Sequence, residues 1–303
     1  MLSEKIRQCE GRIMTYGITP PKADQTSEKL RGIAHKQIER ISELEIDALI
    51  LYDIQDEKER INAERPFPYM KTLDPADYSR EYLEELTMPH VIYRCVGKYT
   101  PQMISDWIKN GNGKEVYTVF VGAASRNQSV NVSLPQAYEI AQKADKHFML
   151  GGVAIPERHT INRDEHLRVI NKIRQGCRFF VSQAVYNVEA SKNFLSDYYY
   201  YSLNNEITMA PIVLTLTPCG SLKTLQFMKW LGVSIPQWLE NELLHCSDIL
   251  DKSIALSKLA FEELKDYGEE KGIPIGCNIE SVSVNKVEVE ASIELAKEIR
   301  KMF

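Results

Sequence analysis

The chain has 303 residues, about twice an average domain, although α/β barrels of roughly 250 residues or more routinely form one domain. Apolar residues make up 44% and charged residues 26%, with 15 Gly and 13 Pro, which argues against a disordered or collagen-like chain and allows a large buried core. With 37 Lys and Arg against 42 Asp and Glu the net charge is −5, and no basic run is interleaved with aromatics, so nucleic acid and anionic membrane are poor partners.

The segment Met1 to Arg7 alternates charge and has no apolar stretch of signal-peptide length, and no stretch approaches the 18 or so apolar residues of a membrane span, so a cytoplasmic protein is expected. Six cysteines are scattered singly, without a C-x-x-C pair or a Cys/His spacing that makes a zinc site. Reduced thiols and no metal are expected.

Along the chain, short β-branched or aromatic runs alternate with longer stretches of helical period. The first strand is expected over 12–18 and the second over 47–53, where Ala48-Leu49-Ile50-Leu51 is apolar throughout, as a strand covered on both faces requires. An insertion over about 55–86, with Pro66-Phe67-Pro68, precedes a third strand at 90–95 and a fourth at 116–122. Ser133-Leu134-Pro135-Gln136 predicts a capping box opening a helix to about Ala144. A fifth strand follows at 148–154, then a helix from about Asp164 that Gly176 closes, then a sixth strand at 179–183. Tyr198 to Tyr201 end the sixth helix, in packing and surface roles, with a ligand or partner contact as the lesser alternative. The seventh strand is expected at 211–216, extra helices over about 236–265, and the eighth strand at 273–278. A last helix carries Val287, Ala291, Leu295 and Ile299 on one stripe, with Asn285 and Glu288 spaced as a capping box. Eight strand-then-helix units without a low-complexity linker predict one α/β domain, a single (β/α)8 TIM barrel with helical insertions.

In such a barrel the site lies at the carboxyl ends of the strands. That nominates Gly17 and Thr19, Asp53, Gly122 to Arg126, the group Glu157, Arg158 and His159, then Gln183, Thr215, Thr217, Asn278 and Glu280. The loop Gly122-Ala123-Ala124-Ser125-Arg126-Asn127 reads either as a phosphate-approaching turn with Arg126 adding charge or as a plain tight turn, since both G-x-x-x-x-G-K-[ST] and G-x-G-x-x-G are absent. Pro156-Glu157-Arg158-His159 gathers a carboxylate, a guanidinium and an imidazole, for phosphate binding or proton transfer or as an ion-paired loop. His90 opens a strand, where a structural histidine is the plain reading. Gln183 ends an apolar strand, where an amide needs partners and a ligand contact is favoured.

The order of several segments resembles the methylenetetrahydrofolate reductase family. Tyr16-Gly17-Ile18-Thr19-Pro20-Pro21-Lys22 is similar to its aromatic-Glu-x-x-Pro-Pro-Lys signature, Pro89-His90-Val91 to its Pro-His-Leu, and Ile155-Pro156-Glu157-Arg158-His159 to its Tyr-Pro-Glu-x-His. Gln175 to Gln183 resembles Ala-Gly-Ala-x-x-x-x-Thr-Gln, Ile235 to Leu239 resembles Ile-Pro-x-Trp-Leu, and Gly276-Cys277-Asn278 stands where the family has Thr-Leu-Asn. The resemblance implies bound FAD, NADH or NADPH as electron donor, and reduction of 5,10-methylenetetrahydrofolate to 5-methyltetrahydrofolate in one-carbon metabolism and methionine biosynthesis. It implies that Gln183 contacts the folate pterin, that His159 and Lys172 hold the flavin's phosphate region, and that His90 and Asn278 line the cleft. Trp238 on the inserted helices is expected to be buried and packed on the barrel, with a homo-oligomer or partner-subunit contact as the alternative.

The departures are equally specific. The family's glutamate in the first signature, its acid, is replaced by Gly17, and its Arg-Gly-Asp after strand four is Val121-Gly122-Ala123. Asp53, Glu157 or Glu280 would have to supply the proton, with Asp53 the leading candidate. Three readings follow: a divergent flavin reductase, a flavin-free folate or C1 enzyme, and a non-catalytic folate-binding subunit.

Overall fold

The computed structural model describes residues 1–56, 63–109, 115–123, 128–143 and 147–303. Eight parallel strands pair in chain order: β1 (Met14–Ile18), β2 (Ala48–Leu51), β3 (His90–Cys95), β4 (Val116–Val121), β5 (Phe148–Ala154), β6 (Phe179–Ala184), β7 (Ile212–Leu216) and β8 (Ile275–Glu280). β8 pairs back onto β1 and closes a (β/α)8 TIM barrel. The helices are α1 (Leu2–Arg7), α2 (Ser27–Ser42), α3 (Pro75–Tyr82), α4 (Pro101–Lys109), α5 (Leu134–Ala141), α6 (Pro156–Asn162), α7 (Glu165–Arg174), α8 (Val188–Asn204), α9 (Leu222–Trp230), α10 (Gln237–His245), α11 (Ile249–Lys271) and α12 (Lys286–Arg300). No helix among the described residues is long and apolar enough to cross a membrane.

Local sequence sets most of these ends. Ser133 and Gln136 form the expected capping box, the Ser133 amide donating to Gln136 Oε1 at 2.9 Å. Gly176, with φ +105°, takes the chain out of α7 at a backbone angle a side chain would strain. The capping box expected at Asn285 forms only in half. Asn285 caps α12, but Glu288 turns inward, is 3% exposed, and accepts the Gly220 amide at 2.6 Å. A backbone donor in the loop after β7 outcompetes the helix start because a carboxylate buried there needs a partner. Trp238 does not pack on the barrel. It stands 59% exposed, while Leu239 and Leu243 bury the inner side of α10.

Strand alternation divides the core in two. Ile13, Ile50, Val91, Val119, Met149, Phe179, Val181 and Val213 fill the barrel interior. Leu49, Phe120, Leu150, Phe180, Leu214 and Ile279 face outward against helix residues such as Phe194, Phe261 and Leu295. Leu2 and Ile6 of α1 belong to the interior group, and Lys5 pairs with Asp47 just before β2 at 2.8 Å. Helix α1 therefore plugs the amino end of the barrel, which leaves the carboxyl end as the open face.

Candidate functional site

The floor of that open face is a hydrogen-bonded layer across the barrel. Asn278, fully buried on β8, accepts from the Thr15 hydroxyl at 2.9 Å and donates from Nδ2 to the Tyr52 oxygen at 2.9 Å and to Thr215 Oγ1 at 3.2 Å. Thr215 in turn donates to the Ser182 carbonyl at 2.7 Å. Both amide hydrogens and the amide oxygen of Asn278 are thus used, which fixes its orientation and leaves the Tyr52 hydrogen to point elsewhere. It goes to Glu280, two residues above Asn278 on the same inward row. Burial pushes the Glu280 carboxyl up to about 7, and the bond from Tyr52 offsets part of that rise.

Glu280 has a second relation that sequence order hides. Across the β1–β8 seam it is the register partner of Gly17, the position where the family signature carries its glutamate. A Cβ at Gly17 would stand 2.7 Å from Tyr52 Cε2 and 2.8 Å from its hydroxyl, so the Tyr52 ring occupies the space a side chain there would need. The inward carboxyl is lost from β1 and present on the adjacent strand, with a tyrosine filling the vacated volume.

Two strands around the ring, roughly 10 Å at sheet spacing, Gln183 reaches the same face. Its Nε2 donates to the Leu231 carbonyl at 2.8 Å, and the residue lines a cleft of about 290 Å³ together with Ile155, Glu157, Arg158, Thr160, Gly232 and Ser234 among others. Glu157 is 8% exposed, and neither carboxyl oxygen has a hydrogen-bond partner among the described residues. Burial pushes it up to about 8, and the Glu165 carboxylate adds to the rise. A carboxyl whose proton is held this far up the pH scale has both a donor and an acceptor to offer on the wall of the cleft.

The other nominated residues are placed differently. Asp53 is a latch: Lys98 pairs with one oxygen, while the Cys95 amide at 2.8 Å and the Tyr99 hydroxyl at 3.0 Å donate to the other. Its side chain is 1% exposed, so the leading candidate for the acid is spent joining β2 to the turn after β3. Period-two reading of β2 explains this, since Ala48, Ile50 and Tyr52 make the inward row and Asp53 falls on the other face. Tyr52 is the residue that sequence reasoning passed over, and that alternation is the signal that marks it. His90 opens β3 at the amino end, opposite the cleft, with Ser79 Oγ 2.6 Å from Nδ1, and burial lowers its pKa to about 4. His159 faces α8 rather than the cleft, with Nε2 3.0 Å from Asp197. Lys172 folds onto the barrel and donates to the Val153 carbonyl, and burial lowers its pKa against the pull of Glu165. Gly122 stands at the end of β4, its carbonyl accepting from Gln55 at 3.1 Å, and Arg126 lies outside the described residues.

A family model described as methylenetetrahydrofolate reductase matches residues 129–269. An uncharacterized protein from Clostridium thermocellum that binds two copies of 5-methyl-5,6,7,8-tetrahydrofolic acid is 56% identical over 100% of both chains, with a TM-score of 0.90. The chain belongs to the methylenetetrahydrofolate reductase family. Dihydropteroate synthases from Xanthomonas albilineans and Thermus thermophilus align at 10% and 12% identity, over 97% of this chain in both cases and 92% and 95% of theirs, with TM-scores of 0.46 and 0.45. A comparison with curated proteins gives no match.

Membership in the reductase family implies FAD, and the residues here fit its diphosphate poorly. His159 is committed to Asp197, Lys172 to a backbone carbonyl beside Glu165, and Val121-Gly122-Ala123 brings neither cation nor carboxylate.

Proposed function

We propose that this chain binds an N5-methylated reduced folate at the carboxyl end of the barrel and delivers a proton to N5, without flavin. The observation that carries the reading is Glu280, an inward carboxyl poised at about 7 in register with the glycine that replaces the family's acid. In a transfer of the N5 methyl group to a nucleophilic acceptor such as a thiolate, the new bond to carbon forms as the N5–C bond breaks and its electron pair stays on nitrogen, and a carboxyl that holds its proton near neutrality supplies the acid that this departure needs. The Tyr52 hydroxyl orients Glu280, and Asn278 orients Tyr52. Gln183 offers an oxygen to the donor edge of a pterin, and neutral Glu157 offers both a donor and an acceptor. The relative's binding of 5-methyltetrahydrofolic acid supports the ligand class. The flavin and NADH or NADPH of the reductase reading have less support, because His159 and Lys172, the two residues the resemblance assigns to the diphosphate, are engaged elsewhere.

Calorimetric titration of the full chain with 5-methyltetrahydrofolate tests this. Gln183→Ala should weaken binding about tenfold or more, the cost of one or two hydrogen bonds at roughly 1.4 kcal/mol per decade. Glu280→Gln should keep affinity within a few-fold while removing the pH dependence of one-carbon release centred near 7. Unchanged affinity in Gln183→Ala would remove the pterin from this cleft.

A further inference from the structure

Outside the cleft, the short helix α6 meets α7 and α8 through three metal-competent side chains that the folate chemistry does not use. We propose that His159, His166 and Asp197 form a site for one divalent transition-metal ion of the zinc class, which clips α6 to α7 and α8. One ligand atom from each residue lies within 4.8 Å of the others. His159 Nε2 stands 3.0 Å from Asp197 Oδ2, and the two imidazoles meet edge to face with centroids 5.3 Å apart.

A tetrahedral ion with bonds of about 2.0–2.1 Å separates its ligands by roughly 3.4 Å. The His159–Asp197 edge is therefore already at coordinating distance, and the remaining gap closes by a shift of roughly 1.5 Å, within the reach of side-chain rotation. Both histidines are buried, at 3% and 9% exposure, and Nδ1 of each has no hydrogen-bond partner among the described residues. Buried ring nitrogens left without partners are costly in a purely structural cluster; with His159 bound through Nε2, the Nδ1 of His166 is the unpartnered nitrogen free to coordinate the ion. Phe194 and Tyr201 pack on the rings at 6.3 and 5.5 Å and keep the inner side apolar. The Asp197 side chain, 50% exposed, leaves a route for the ion and for water as the fourth ligand.

The three ligands come from three helices, His159 and His166 separated by seven positions and Asp197 a further thirty-one along. No Cys/His spacing motif describes them, which is why the sequence alone predicts no metal. Since Glu157, Arg158, Thr160 and Ile161 on the same helix line the cleft, holding α6 also holds one wall of the folate site.

The full chain, stripped with chelator, is dialysed against Zn²⁺ and then metal-free buffer, and retained metal is measured by mass spectrometry. Co²⁺ loading read by visible absorption reports the geometry. Wild type should retain one equivalent, show the intense bands of tetrahedral Co²⁺, and melt roughly 5 °C higher when the ion is at a hundred times its dissociation constant. Asp197→Asn and His166→Gln should each bind at least tenfold more weakly and lose the Zn²⁺-dependent rise, with metal-free melting near that of wild type. Failure of wild type to retain zinc, or retention of a full equivalent by both variants, overturns the site.

Discussion

A buried carboxyl without a partner shows itself in pH dependence, and Glu157 is the clearest case. Its pKa is raised from 4.5 to about 8, so between those values the folded chain keeps a proton that the unfolded chain has released. Stability therefore falls as pH rises through that window, the reverse of a salt-bridged carboxylate. Glu157→Gln cannot ionise, so it should melt like wild type at pH 4 and be more stable by about 2–4 kcal/mol at pH 9. Equal differences at both pH values would show that the group does not ionise in a buried setting. Glu280 acts in the same direction over the narrower span from 4.5 to about 7. Neither environment is legible in the residue itself, since the burial of Glu157 without a partner and of Glu280 against Tyr52 arises only when α6 and β8 are in place.

Between elements, the relation that matters most is the register of β1 against β8. Sequence reading expects β8 at 273–278 and leaves Glu280 in a loop. The strand runs two residues further, to Glu280, because pairing with β1 continues through Gly17. The same pairing makes Gly17 a packing position for the Tyr52 ring. Gly17→Ala should cost about 1–3 kcal/mol by overpacking. Combining it with Tyr52→Ala should recover part of that cost, a coupling that two-way denaturation cycles measure. Simple additivity would show that the ring yields without strain. The capping box at Ser133 was readable from four consecutive residues because its bonds are local. Glu288 was not, since its partner is the Gly220 amide from another part of the chain.

For the whole molecule, the barrel has a plugged end and an open end, and the open end carries one acidic and one amide-lined region two strands apart. The purified protein should show no bound-flavin absorption even after incubation with excess FAD, and no bleaching on adding NADH or NADPH. A stoichiometric flavin spectrum would restore the reductase reading and require His159 and Lys172 to leave their present partners. Helix α6 links the two regions of interest, with residues on one side lining the cleft and His159 on the other side facing α8.

Periodicity and end signals in the sequence determined eight strand-helix units, their order, and hence a (β/α)8 barrel, because those signals rest on interactions a few residues apart. The quoted motifs likewise brought out the family resemblance and the two departures from it. Only the tertiary structure separates the two carboxyls that the sequence left as equivalent candidates. Asp53 and Glu280 are both carboxylates near strand ends, and what separates them is which face of a strand they occupy and what lies across it. Those are relations between residues more than 40 and more than 200 positions apart, Asp53 with Cys95 and Glu280 with Gly17 and Tyr52. Closure of β8 onto β1 creates them, and no local pattern encodes them.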